Sequence, residues 1–170
     1  ERLFTKDKYI HLAPDEFLSA LGKPAEFIAG YEAVPETEFN LLLIGRRDPR
    51  TNNSWLHNSH RMVKGKNRCL ALVHPQDAQR RHILNGDVAL VSSRVGSIRI
   101  PITISDEMNP GVISIPHGWG HLVEGSKLDV AQKHAGVNTN ILTDDLFLDS
   151  VSGNAALNGV PVSLVKAPGQ

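Results

Sequence analysis

A chain of 170 residues that is 41% hydrophobic and 21% charged has the balance of a soluble globular domain, with a core of its own and room for a short appendage. No apolar run approaches the roughly 18 residues of a membrane-spanning helix, nothing at the start resembles a signal peptide, and the single cysteine, Cys69, excludes an internal disulfide and a cysteine-based metal cluster. Eighteen Lys/Arg balance eighteen Asp/Glu, but unevenly: residues 44–68 hold seven Lys/Arg against Asp48 alone, while residues 1–43 carry eight Asp/Glu against four Lys/Arg.

Residues 1–39 read as an irregular lead-in. Within it "APDEFLSALG" carries Asp15 and Glu16 early and Gly22 late, the signs of a short helix that stops at Gly22. The prolines of "KPAEF" and "VPETEF" then break the pattern, so this segment is expected to wrap around a domain spanning residues 40–170. The chain begins at Glu1 rather than Met, as a piece of a longer protein would, which leaves the compartment open.

"FNLLLIG" (39–45) is apolar throughout and reads as a strand covered on both faces. Directly after it, "RRDPRTNNSWLHNS" supplies three arginines, a tryptophan and three asparagines in one run. A surface loop needs polarity but not that density of donors, and the alternatives are a solvated basic loop or a site for an anionic, flat ligand. Duplex nucleic acid is not expected, because such a binder is basic over a whole face.

"CLALVH" (69–74) reads as a second strand, with Cys69 as a small buried hydrophobe. "HPQDAQRRHI" follows as a short helix with Pro75 in its first turn. After the "NGD" turn come "VALVSS" and "SIRIPITIS", two alternating strands joined by a tight turn at Gly96. "NPG" turns into "VISIP", which leads to "HGWGH"; residues 122–159 are mostly loop, and "VPVSLVK" (160–166) is the last strand. Six short strands with little helix predict a mainly β barrel or sandwich, and the strand–helix–strand order in the middle suits a small barrel with one helical crossover.

Three pieces in this order and spacing, "LLLIGRR…NNSWLHNS", "VHPQDAQRRHILNGDVALVSSRVGSIRIPITISDEMNPGVISIPHGWGH" and "GVNTNILTDDLFLDSVSG", resemble the C-terminal dinucleotide-binding domain of the molybdopterin oxidoreductases, the superfamily of formate dehydrogenases, nitrate reductases and dimethyl sulfoxide reductase. The resemblance covers roughly residues 40–166. It implies a six-stranded double-psi β-barrel with short helices, and a role in holding part of a molybdopterin guanine dinucleotide whose molybdenum or tungsten does the chemistry in the parent enzyme. The isolated piece need not carry that cofactor and is expected to have no catalytic residue and no protein-ligated metal of its own. Its partners would be the remaining domains of the parent oxidoreductase.

By the same resemblance the cofactor-binding residues fall in three stretches. Gly45, Arg46 and Arg47 match the strand-end glycine-arginine motif: a glycine lets backbone approach the ligand and an arginine fork suits phosphate. Ser54, Trp55, His57 and Asn58 stand where the family has an aromatic and polar cluster, after the insertion "DPRTNN", whose last residue, Asn53, is a further candidate. His117, Gly118, Trp119 and His121 form the second stretch, and Asn138 and Asn140 of "GVNTN" the third, since an amide offers both donor and acceptor. The family's Pro-aromatic-Lys pattern before the last strand is replaced here by "SGNAALNGVPV", so no lysine contact is carried over.

Other groups have simpler readings. A strand–helix junction and a β-turn account for Pro75, Asp77, Gly86 and Asp87. His117 and His121 are four apart, but the glycines between them argue against a helical zinc motif. No serine sits in a G-x-S-x-G elbow. Two other classes stay open: an adaptor module built on the same barrel, in which the basic loop contacts a protein, and a self-processing decarboxylase-like enzyme cleaving at Gly96–Ser97 or Gly125–Ser126.

Overall fold

A computed structural model describes residues 2–20, 40–149 and 151–168. Among them, helix α1 (Asp15–Ala20) is followed by strand β1 (Leu41–Arg46), helix α2 (His60–Val63), β2 (Ala71–Val73), α3 (Pro75–Arg80), β3 (Val88–Ser92), β4 (Ser97–Ile104), β5 (Val112–Pro116), α4 (Asp129–Lys133), a 3-10 turn (Thr139–Leu142) and β6 (Val160–Lys166). The expected stop of α1 at Gly22, and the rest of the lead-in to residue 39, lie outside the described residues.

The six strands close into a barrel in the order β1-β5-β2-β4-β3-β6, with β1·β5 and β2·β4 parallel and the other neighbours antiparallel. Exchanging β1 with β4, β2 with β5 and β3 with β6 maps this cycle onto itself and keeps every parallel pair parallel. That internal two-fold relation accords with the double-psi barrel that the resemblance implies. Closure leaves no strand edge to protect.

Alternation of side chains across each strand fills the barrel. Leu41 and Leu43, Ala71 and Val73, Ala89 and Val91, Ile100 and Ile102, Ile113 and Ile115, and Val160 and Val162 are all buried in one cluster. Each larger member contributes about 1.5–3 kcal/mol by leaving water. Sequence expectation and structure differ at two strands. β1 is not covered on both faces: Leu42 is half-buried and Ile44 exposed, because the outer face of the barrel carries no second layer there. β2 begins at Ala71 rather than Cys69. The Leu70 carbonyl is taken by the Arg46 guanidinium (2.8 Å) and the Cys69 N–H by the Asn67 side chain (2.9 Å), so neither is free for a ladder.

The polar turn residues do architectural work. His74 caps α3 by accepting from the Gln76 N–H, with Pro75 in the first turn. Buried Asp77 accepts from the Gly111 N–H (2.7 Å), and Asp87 accepts from the Leu84 N–H (2.8 Å) while pairing with Lys166 (2.7 Å). No helix among the described residues is long and apolar enough to cross a membrane.

The strand directions decide what meets at one end of the barrel. Parallel pairing of Gly45 with Ile115 and Arg46 with Pro116 sends β1 and β5 out at the same end. Antiparallel pairing of Leu43 with Val160 brings β6 in from that end, and the pairing of Ser92 with Ser163 places the β3–β4 hairpin tip there too. Residues far apart in sequence therefore converge.

A polar cleft at the barrel end

At that end lies a cleft of about 280 Å³, lined by Leu43, Gly45, Arg47, Ile115, His117, Thr139, Asn140, Thr143, Leu157 and Asn158. It joins one or more residues from each of the three stretches marked in the sequence. The Gly45 N–H donates to Oδ1 of Asn158 (2.7 Å), and the Asn158 amide N–H groups have no hydrogen bond among the described residues. Among the described residues, the exposed Arg47 guanidinium has neither hydrogen bond nor ion pair, and the Asn140 side chain has no partner either. The Asn140 backbone is fixed instead: its N–H donates to Asn138 Oδ1 (3.0 Å) and its carbonyl accepts from the Thr143 hydroxyl (2.9 Å). No lining residue is acidic.

His117 enters from the second stretch with Nε2 3.0 Å from Asn53 Oδ1, which orients the imidazole beside the cleft. Gly118 makes this crossing possible. Its φ is +87°, and a Cβ there would stand 2.2 Å from the Asn53 carbonyl oxygen. Two loop segments thus touch through bare backbone, as only glycine allows.

The remaining marked residues serve elsewhere. Arg46 and Arg47 are neighbours in an extended chain and point to opposite sides. Arg46 braces the barrel, donating to the Leu70 carbonyl and, at 3.2 Å, to the Ser114 carbonyl, and burial pushes its guanidinium below the usual range. Asn58 accepts from the N–H groups of Val130 (3.1 Å) and Ala131 (3.2 Å), holding the first turn of α4. Asn138 caps the 3-10 turn. Ser54 contributes its carbonyl to the His57 N–H (3.1 Å) and its backbone to the Gly118 contact. Trp55 is 84% exposed and outside the cleft.

Buried His57 and Trp119 form a separate group with half-buried His121. His57, only 1% exposed, stacks on Trp119 with ring centroids 4.0 Å apart, and its Nδ1 lies 2.6 Å from His121 Nε2. That contact takes one N–H and one bare nitrogen, so the two rings are not both protonated in this arrangement. Burial, and then the neighbouring His121, push the His57 pKa down to about 4, and burial lowers His121 as well. Among the described residues, the buried His57 Nε2 and Trp119 Nε1 atoms have no hydrogen-bond partner. Among the described residues no three His, Cys, Asp or Glu side chains converge as a metal site would need.

Sequence reasoning missed Thr139, Thr143, Leu157 and Asn158. The signal for Asn158 was present: "LNGV" immediately before a strand that pairs with β1 places an amide beside Gly45. Seeing it required the pairing of β1 with β6, which sequence alone does not supply.

Residues 41–161 match the model of the family described as the molydopterin dinucleotide binding domain. The chain is similar to the putative dimethyl sulfoxide reductase chain YnfE of Escherichia coli K12, with 31% identity over 131 residues, covering 75% of this chain and 16% of that protein. It is also similar to the trimethylamine-N-oxide reductase of Salmonella typhimurium LT2 (31% over 98 residues; 57% and 11% covered). A third relative is the arsenate respiratory reductase of Chrysiogenes arsenatis, through its molybdopterin-containing ArrA component (29% over 148 residues; 78% and 17%). The chain thus spans less than a fifth of each of these relatives. Among solved structures, acetylene hydratase from Pelobacter acetylenicus shares the fold over 94% of this chain and 21% of its own, with a TM-score of 0.64 and 22% identity.

Proposed function

The chain belongs to the molydopterin dinucleotide binding domain family, and from that premise we propose that the barrel-end cleft is where it holds its share of a molybdopterin guanine dinucleotide. The observation that carries this reading is the donor set. Among the described residues, Arg47, Asn140 and Asn158 present unpaired N–H groups, no carboxylate lines the cleft, and Gly45 adds no side chain to it. Those groups suit a pyrophosphate and the edge of a purine or pterin. An arginine fork takes two phosphate oxygens, and amides complement a heterocycle that both donates and accepts.

At about 280 Å³ the cleft lies just below the roughly 300 Å³ at which sites for whole small ligands begin. It is therefore suited to one portion of the dinucleotide, the rest being covered by other domains of a longer protein. When bound, such a cofactor supplies redox chemistry at a pterin-held molybdenum or tungsten, and this chain's part is binding and orientation. Arg47 would neutralise phosphate charge, Asn140 and Asn158 would fix a ring edge, and His117, held by Asn53, would border the site. The parent protein is proposed to be a molybdenum or tungsten oxidoreductase moving electron pairs between a substrate and an electron carrier.

Calorimetric titration of the 170-residue chain with GDP, a soluble stand-in for the nucleotide half, tests this. Binding is expected to be weak, because only part of the pocket and part of the ligand are present. Replacing Arg47 by Ala should weaken it about tenfold or more, the cost of losing a charge-assisted pair. Equal affinity in wild type and Arg47→Ala would overturn the assignment of the phosphate to this cleft.

A further inference from the structure

The basic run of residues 44–68 is only partly explained by the cleft. Arg47 lines it, Arg46 braces the barrel, and Arg50 donates to the Arg61 carbonyl (2.7 Å). Lys66 and Arg68 go elsewhere. They line a second pocket of about 390 Å³ that shares no residue with the first and is completed by Lys133, His134 and Trp119.

A specific stitch holds its two walls together. Cys69, adjoining Arg68, accepts the Val137 N–H on its Sγ (3.3 Å), and burial pushes its thiol pKa up, so it acts here as a neutral acceptor. Gly136 closes the junction with φ +60°: a Cβ would meet Cys69 Sγ at 2.8 Å and the Trp119 Cβ at 2.9 Å. This close approach brings Lys133 and His134 alongside Lys66 and Arg68. Arg68 is itself fixed, donating to the Met62 carbonyl (3.1 Å) with its Nε 3.4 Å from Asp48. Lys66 and Lys133 have no ion-pair partner among the described residues, and no carboxylate lines the pocket. Trp119, 8% exposed, also lines it, and its buried indole N–H lacks an acceptor. Asp48 offsets Arg68 alone; Lys66 and Lys133 add positive charge to the same concavity, and an anion there removes the repulsion among them.

We propose that this pocket, walled by Lys66, Arg68 and Lys133 and stitched at Cys69–Gly136, is a second and separate oxyanion site, taking a phosphate-bearing small molecule. Arg68, pinned by Asp48 and the Met62 carbonyl, gives a pre-set fork; the two free lysines close on the ligand as point charges.

The test is a titration of the isotope-labelled chain with inorganic phosphate at constant ionic strength, with chloride and succinate as comparison anions. Phosphate should give saturable amide shifts confined to Gly65–Cys69 and Lys133–Val137, and Arg47→Ala, which alters only the barrel-end cleft, should leave them unchanged. In the double variant Lys66→Ala/Lys133→Ala, phosphate should bind at least tenfold more weakly, with β-strand amides unmoved to show that the fold is intact. Equal shifts with chloride, or an unchanged midpoint in the double variant, would overturn the proposal. So would saturation by succinate and not by phosphate, which would assign the pocket to a carboxylate. Loss of GDP shifts at the barrel end would count against the cleft alone, since the two sets of amides do not overlap.

Discussion

Arg46 and Arg47 are adjacent and chemically identical, yet one is scaffold and one faces the cleft. The sequence marked both as anion ligands because it shows residue type, not the side of the strand on which each lands. The same holds for the histidines. His57 and His121 read as ligand groups, and the structure packs them against each other and His57 against Trp119. The burial of His57 has a pH consequence. His57 titrates near 6.5 when unfolded and about 4 when folded, so between those values the unfolded chain binds more protons than the native one. Stability contributed by neutral His57 is full above pH 6.5 and is lost as pH falls toward 4, by an amount on the order of 3 kcal/mol for a shift of this size. Melting temperatures across that range should drop steeply for wild type. In His57→Phe, which keeps a ring against Trp119 but cannot titrate, the slope should flatten; an identical slope would show that His57 is not the group responsible.

Elements position the cleft as much as its own residues do. The 3-10 turn that presents Asn140 rests on the β3–β4 hairpin tip. Arg94 there grips Asp144 through two nitrogens, one at 2.6 Å, and that contact holds the Asp144 carboxyl below its usual range. Gly96 of the same tip sits so close to Ile141 that a Cβ would stand 2.4 Å from its carbonyl oxygen. Arg94→Ala is expected to weaken GDP binding several-fold while hardly moving the melting temperature, because an exposed ion pair contributes little to global stability. Amide shifts in the variant should concentrate at residues 139–144. A variant that binds GDP as wild type does would show the turn to be held without Arg94. Gly118→Ala is the opposite kind of change: with φ +87° and a backbone oxygen 2.2 Å from the new Cβ, it should destabilise the fold by more than ~1 kcal/mol, read from denaturant midpoints.

The strands themselves were legible. β3, β4, β5 and β6 lie where alternation and turn residues put them, and "VPVSLVK" matches β6 from end to end. β2 was overread because Leu70 and Cys69 are apolar and strand-like, while their backbone groups bond to Arg46 and Asn67 side chains. No local pattern reveals that competition.

At the scale of the whole molecule, the barrel's closure turns sequence distance into proximity. Gly45 and Arg47, His117, the Thr139, Asn140 and Thr143 group, and Leu157 with Asn158 meet because β1 and β5 run parallel while β6 runs against β1. The resemblance read from the sequence located three of those four groups; the fourth, with Asn158, depends on a strand pairing and stayed hidden. The basic run looked like one feature and is divided between two pockets, since a folded chain distributes neighbouring side chains over different faces.

Whether the barrel-end cleft receives the nucleotide is decided by amide shifts of the labelled chain on titration with GDP, with sulfate at equal ionic strength as the comparison. A nucleotide seated in the cleft gives saturable shifts at Gly45–Arg47, His117, Thr139–Thr143 and Leu157–Asn158, with Trp55 unmoved and sulfate failing to reproduce the pattern. Shifts spread along residues 46–68 and matched by sulfate would reduce the site to a basic loop that attracts any anion.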